Sequence, residues 1–276
     1  MRKYIIISLI FLVGCGKIEE SVNEQVEKAL LNSPVFKSLR GFTVRIPLRS
    51  AKKDTNWICR TAWAETDTPE ISWDINIGED KKSADVNITI EWQYYIYAVY
   101  RDLLDTTIID TVKKPTILTG EITFKFELVG NTWTMTKFTP LLLKSDSLQD
   151  KIQIDSVVLK SNTNYPVIAP SAEISLQNGE TPYVFNTGDS IEIFMWEKED
   201  TNVVKWPYAF LSGNPQDYIK PYEYDTTEKR WEALWVPQVS GHKWGFSMMM
   251  DLQSAIVEHD NYAIRIIALG IPYNVK

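Results

Sequence analysis

Between Val86 and Tyr100, the apolar residues Val86, Ile88, Ile90, Trp92, Tyr94, Ile96, Ala98 and Tyr100 alternate with Asn87, Thr89, Glu91 and Gln93. Successive side chains of a strand point to opposite faces. A sustained period of two therefore predicts an extended chain with one side against a core. Strands usually stop near ten residues, so a run of this length predicts a bent sheet.

The neighbouring segments obey the same rule. "ISWDINI" alternates Ile71, Trp73, Ile75 and Ile77 against Ser72, Asp74 and Asn76. In "GEITFKFELVGNTWTMTKF", Ile122, Phe124, Phe126 and Leu128 alternate with Thr123, Lys125 and Glu127. Gly130-Asn131 supplies a tight turn, and Trp133 and Met135 return along the buried side, so this segment reads as a hairpin. Upstream, Ser21-Val22-Asn23-Glu24 has the form of a capping box. Val22, Val26, Ala29 and Leu30 follow at helical spacing, which predicts a helix over Val22–Leu31 that ends before Ser33-Pro34. A helix ahead of several antiparallel strands resembles cystatin-like α+β folds, and that resemblance implies a helix packed on a curved sheet over 34–144.

"KSDSLQD", Lys144 to Asp150, is polar between apolar runs and reads as a linker. Strand-like segments separated by turns follow over 151–276. Among them, "NTGDSIEIFMWEKED" resembles the strand that begins after a Gly-Asp turn in extracellular immunoglobulin-like domains. The resemblance implies a β-sandwich without the Cys-Trp-Cys core of true immunoglobulin domains. The expected fold is thus mainly β, an α+β domain followed by an immunoglobulin-like β-sandwich.

The N-terminus sets the expected location. Arg2 and Lys3 precede an apolar run from Tyr4 to Val13. As a helix that run measures about 15 Å, against a bilayer core of roughly 30 Å, so it is too short to span. A positive start, a short apolar middle and small residues form the layout of a secretory signal peptide over 1–14. Its end, Leu12-Val13-Gly14-Cys15, resembles the lipobox of bacterial lipoproteins. The resemblance implies a diacylglyceryl thioether on Cys15, cleavage before it and acylation of the new terminus, palmitate being a typical chain. Two or more acyl chains anchor firmly where one does not. Residues 15–33 then comprise anchor, short tether and helix. With Gly rather than Asp at position 16, the resemblance implies the outer membrane where a cell has one, and otherwise the outer face of the cytoplasmic membrane.

Charge agrees with a lipid, not an electrostatic, attachment. The net charge is -7 and becomes more negative once Arg2 and Lys3 leave with the leader. Such a chain gains nothing from counterion release on nucleic acid and is not drawn to anionic headgroups. With Cys15 lipidated, Cys59 has no intrachain partner, so no internal disulfide is expected. In "NWICRTAW", strand alternation puts Trp57, Cys59, Thr61 and Trp63 on one face, with Cys59 as a small buried apolar residue.

Motifs for chemistry are scarce. The chain contains no H-E-x-x-H, C-x-x-C, G-x-S-x-G, G-x-G-x-x-G or P-loop pattern. Glu258-His259-Asp260 reads as a solvated loop, and strand geometry would split Met248-Met249-Met250 between two faces as core residues. The acidic turn Glu197 to Asn202 lacks the spacing of a calcium loop. No cofactor or metal is expected. The aromatic content is high, with 10 Trp and 13 Tyr. If the strands around "YEYDTTEKRWEALW" pair, Tyr222, Tyr224, Trp231 and Trp235 form either a ring ledge for ligand binding or part of the sandwich core.

These readings lead to the expectation of a lipid-anchored, extracytoplasmic, non-catalytic binding or scaffolding lipoprotein that recognises an envelope protein or glycan. The alternative is an envelope hydrolase acting on glycan or peptide through carboxylates that sequence does not locate. Cells fed a clickable palmitate analogue should label the wild-type chain and not Cys15→Ala, which should accumulate as the uncleaved precursor. Equal labelling of both would count against the lipobox.

Overall fold

The computed structural model describes residues 20–40, 45–48, 53–54, 56–146, 152–161, 166–177, 179–197, 205–211, 219–257, 259 and 264–276. The leader, Cys15, Glu258, Asp260 and residues 147–150 of the expected linker lie outside the described residues.

Helix α1 (Val22–Asn32) and helix α2 (Pro34–Arg40) come first. The strands β1 (Arg45–Leu48), β2 (Lys53–Asp54), β3 (Trp57–Thr66), β4 (Glu70–Ile77), β5 (Ser83–Asp102), β6 (Ile109–Val129), β7 (Thr132–Phe138) and β8 (Leu141–Ser145) follow. The second half of the chain holds β9 (Ile154–Lys160), β10 (Val167–Ile168), β11 (Ile174–Ser175), β12 (Val184–Phe185), β13 (Ile191–Glu197) and β14 (Lys205–Leu211). It continues with β15 (Ile219–Pro221), β16 (Glu223–Asp225), β17 (Arg230–Trp235) and β18 (Gly241–Asp251). A π-helical turn (Gln253–Val257) and β19 (Ile266–Val275) complete it.

The capping box forms: the Glu24 amide donates to Ser21 Oγ at 3.3 Å, and the Ser21 amide donates to Glu24 Oε2 at 2.7 Å. These bonds hold the Glu24 carboxyl below its ordinary range. Helix α1 ends at Ser33 as expected, but Pro34 does not stop helix formation. It opens α2, because proline suits a first helical position where no amide is needed. Val26, Leu30, Val35, Phe36 and Leu39 are buried. The Phe36 ring meets Trp73 and Phe124 edge-on at 5.7 and 6.4 Å, so α1 and α2 pack on the inner face of the sheet.

Strand β5 is the long alternating run, and every even-numbered residue from Ala84 to Tyr100 is 2% exposed or less. It pairs with β6 without interruption from Ser83↔Glu127 to Arg101↔Ile109. On its other side it takes β4 along Ala84–Glu91 and β3 along Tyr94–Asp102. Strand β6 likewise takes β7 at one stretch and β8 at another. The β6–β7 hairpin turns at Gly130, whose φ of 63° is unfavourable for other residues.

The second half is mainly β as expected, but its strands do not all form a sheet of their own. Strands β9, β10, β13, β16 and β17 form one sheet, while β8 pairs with β19, which carries β18, β14 and β15 on the larger sheet. Strands β18 and β19 are therefore buried on both faces. On one side, Phe246 packs on Trp92 at 5.8 Å, Tyr94 Oη donates to Met248 Sδ at 3.9 Å, and Trp244 Nε1 donates to the Val35 carbonyl at 3.0 Å. On the other, Tyr273 meets Trp235 at 5.0 Å, and the Ser247 and Tyr222 hydroxyls lie 2.7 Å apart. Met248, Met249 and Met250 are split between these faces and buried, as strand geometry requires.

Gly120 sits where β6 gains β8 as a partner, opposite Leu143. A Cβ there would lie 2.6 Å from the Leu142 carbonyl oxygen, and the backbone cannot yield without disturbing the join to β19. Gly120→Ala should lower stability by about 1–3 kcal/mol. The change should appear as a lower urea midpoint at unchanged slope.

Candidate functional site

The four rings singled out from sequence do not come together as a ledge. Strands β16 and β17 do pair, with Tyr224 opposite Trp231 at a ring distance of 4.8 Å. Tyr222 and Trp235 instead lie in the core between the two sheets, and burial raises the Tyr222 phenol well above its ordinary range. Trp231 is half-buried with its Nε1 donating to Glu197 Oε1 at 3.2 Å, and only Tyr224 is exposed. The reason is alternation: Trp231, Ala233 and Trp235 share the inward face of β17 opposite Met195, Ile193 and Ile191.

A second arrangement brings polar residues together under the π-helical turn. The His259 ring stacks on Trp57 at 3.9 Å, meets Tyr100 edge-on at 4.8 Å, and its Nε2 lies 2.9 Å from Asp110 Oδ2. His259 is thus packed against the sheet rather than solvated. Cys59 pairs across from Tyr100 in the same row. Lys114 is fully buried, and its ammonium donates to the Ser254 carbonyl at 3.1 Å. Asp251, also buried, accepts from Arg265 Nε at 2.7 Å.

The composition of this cluster invites a Cys-His-Asp reading, but the thiol is unsuited to it. Desolvation pushes the Cys59 thiol up to about 11, only partly opposed by the Lys114 charge, and Sγ donates to the Thr61 carbonyl at 3.7 Å. A nucleophilic cysteine needs the opposite environment, exposed and with a lowered pKa. The cluster is better understood as packing that ties the π-helical turn to the ends of β3, β5 and β6. Among the described residues, no group of three or more His, Cys, Asp or Glu side chains converges to hold a metal.

The third arrangement lies on the solvent side of the larger sheet. A β-bulge between Cys59 and Thr61 shifts the register of β3, so Trp57 and Cys59 face inward while Thr61 and Trp63 face outward. The single-face reading of these four residues is corrected by that one extra residue. Trp63 then stacks on Tyr97 at 5.2 Å with the planes 9° apart. Lys113, opposite Tyr97 on β6, holds its ammonium 3.8 Å from the Tyr95 ring centroid and 5.5 Å from that of Tyr97. The Trp63 Nε1 donates to Glu65 Oε1 at 3.2 Å, which fixes the indole. Three half-buried rings form one outward-facing patch, with the Lys113 ammonium over the face of Tyr95.

The signal for this patch was present in the alternating run itself. Continuing the polar face beyond Gln93 places Tyr95, Tyr97 and Val99 on the solvent side. The position of Trp63 beside them depends on the bulge, which no local pattern announces. No family model, no curated protein and no solved structure matches this chain.

In a Cys15→Ser variant Cys59 is the only thiol. At pH 8 a thiol at about 11 carries about a hundredfold less thiolate than an ordinary one at 9.0. Ellman's reagent should therefore leave native Cys59 unmodified and titrate it fully once the protein is unfolded in urea. Rapid modification of the folded protein would show an accessible, activated thiol.

Proposed function

We propose that this is a lipid-anchored, non-catalytic binding protein of a bacterial envelope that recognises glycan through the outward rings Trp63, Tyr95 and Tyr97. The lipobox supports the anchor, and the observation that carries the binding reading is the Trp63–Tyr97 stack beside Lys113 on the solvent side. A sugar offers a flat C–H face edged with hydroxyls. Aromatic rings match the face, and the Lys113 ammonium, with Gln93 nearby on the same side of β5, matches the hydroxyl rim. Neutral stacking also suits a chain whose net charge is negative.

The geometry of attachment fits this role. With α1 capped at Ser21, residues 16–20 allow at most about 17 Å between the lipid and the folded chain. The protein would act close to the membrane, where envelope glycan is dense. On this proposal, α1 and α2 against β4–β7 would correspond to the cystatin-like part, and the smaller sheet with β18 and β19 to the immunoglobulin-like part.

Cross-strand ring pairs also stabilise a sheet, by roughly 0.2–1 kcal/mol each, so the test must separate binding from stability. Co-sedimentation with purified cell-wall glycan should weaken about tenfold in Trp63→Ala and in Tyr97→Ala, equivalent to about 1.4 kcal/mol. Thermal melting should fall only slightly in both. Unchanged sedimentation in both variants would overturn the assignment.

A further inference from the structure

A sheet edge is a row of unpaired amides and carbonyls, and folded proteins guard such rows with short strands, proline, lysine or bulges. Most edges here follow that rule. Strand β1 has four residues including Pro47, β15 has three and ends at Pro221, and β16 has three. The stretch of β6 beyond β8 carries Lys113, Lys114 and Pro115.

Strand β4 is different. It has eight residues, contains no Pro or Lys, and pairs with β5 in unbroken register from Glu70↔Glu91 to Ile77↔Ala84. Among the described residues, no other strand or loop bonds to its outward backbone. Its inward residues Ile71, Trp73, Ile75 and Ile77 are only partly buried, whereas Val86, Ile88 and Ile90 beside them on β5 are 2% exposed or less. Helix α1 and Phe36 cover this row only in part, and its outer flank stays open.

We infer that β4 pairs antiparallel with β4 of a second copy of this chain, across a two-fold axis at Trp73. The sequence of the strand selects that occupant and that register. An antiparallel pair keeps facing residues on the same side of the sheet. With Trp73 opposite Trp73 of the other copy, Ile71 meets Ile75 on the inner side, while Ser72 meets Asp74 and Glu70 meets Asn76 on the outer side. No like charges face each other, and Ile71, Trp73 and Ile75 each gain an apolar neighbour across the axis. Of the two adjacent in-phase registers, one places Asp74 against Asp74 and the other places Glu70 against Asp74, and both are disfavoured for that reason. A two-fold interface requires this self-complementarity of a single patch. The inference is independent of the glycan reading, since it uses none of Trp63, Tyr95, Tyr97 or Lys113.

The test uses the full-length protein in detergent, followed by sedimentation velocity over a dilution series. Wild type should dissociate from dimer to monomer on dilution. Ser72→Asp puts a carboxylate opposite Asp74 and should raise the dissociation constant about tenfold. The swap S72D/D74S removes the clash in this register and should restore wild-type association. In membranes, S72C/D74C should give an interchain disulfide under mild oxidation, while S72C/N76C, which suits the register centred on Asp74, should give none. A wild-type chain that stays monomeric, an S72D variant that associates normally, or cross-linking through S72C/N76C instead would overturn the proposal.

Discussion

The ladder between β5 and β6 is the element on which the rest of the fold depends. Its register runs unbroken from Ser83↔Glu127 to Arg101↔Ile109, and each edge of the pair then carries two further strands in succession. A slip of one residue would send Val86, Ile88, Ile90, Trp92 and Tyr94 to solvent together. The connection between the strands helps prevent it. Asp102 Oδ1 accepts from the Leu104 amide at 2.7 Å, Asp105 Oδ1 accepts from the Thr107 amide at 3.0 Å, and the Ile108 amide donates to the Asp105 carbonyl at 3.0 Å. Local turn chemistry and long-range burial therefore specify the same register.

Elements whose signals are local were legible from sequence. The capping box at Ser21 and Glu24, the alternation of β5 and the hairpin at Gly130 each depend on residues close in the chain. Strands β18 and β19 were harder to place, because both of their faces are buried and no polar alternation marks which layer either face meets. The pairing of β19 with β8 joins residues more than a hundred positions apart, information that short windows do not hold. The ring patch was half legible: Tyr95 and Tyr97 follow from extending the β5 pattern, whereas Trp63 reaches them only through the bulge at Arg60. Trp235 does lie on a strand, whereas Tyr222 falls in the one-residue break between β15 and β16, and pairing alone does not say which face of a sandwich strand looks outward.

The shared position of β18 and β19 changes what a domain boundary means in this chain. Phe246 and Met248 cover Trp92 and Tyr94, and the opposite face of the same strands covers Trp235 and Leu159. Gly270 makes this wall thin enough, since a Cβ there would lie 2.5 Å from the Phe246 ring. Residues 34–144 taken alone would expose large rings that β18 now buries, and residues 151–276 taken alone would lose the β8 join. Each side of the wall is stabilised by side chains from the other half of the sequence, so the two parts behave energetically as one core with two faces.

The solvent-facing rings and the open edge occupy different halves of β5. Tyr95 and Tyr97 belong to the stretch paired with β3, while β4 flanks the stretch from Ala84 to Glu91. Pairing through β4 would therefore leave the rings uncovered. A two-fold axis normal to the sheet also preserves its faces, so both copies of the ring patch would look out from the same side of the joined sheet. Stacking on a single sugar is weak, and a lone patch of three rings would hold glycan only briefly. Under the proposed glycan reading, two patches on one assembly facing a polymer that repeats its sugar unit would turn the second contact into an intramolecular event. Avidity of that kind would give a physical reason for a small aromatic patch and a self-complementary edge to occur on the same strand ladder.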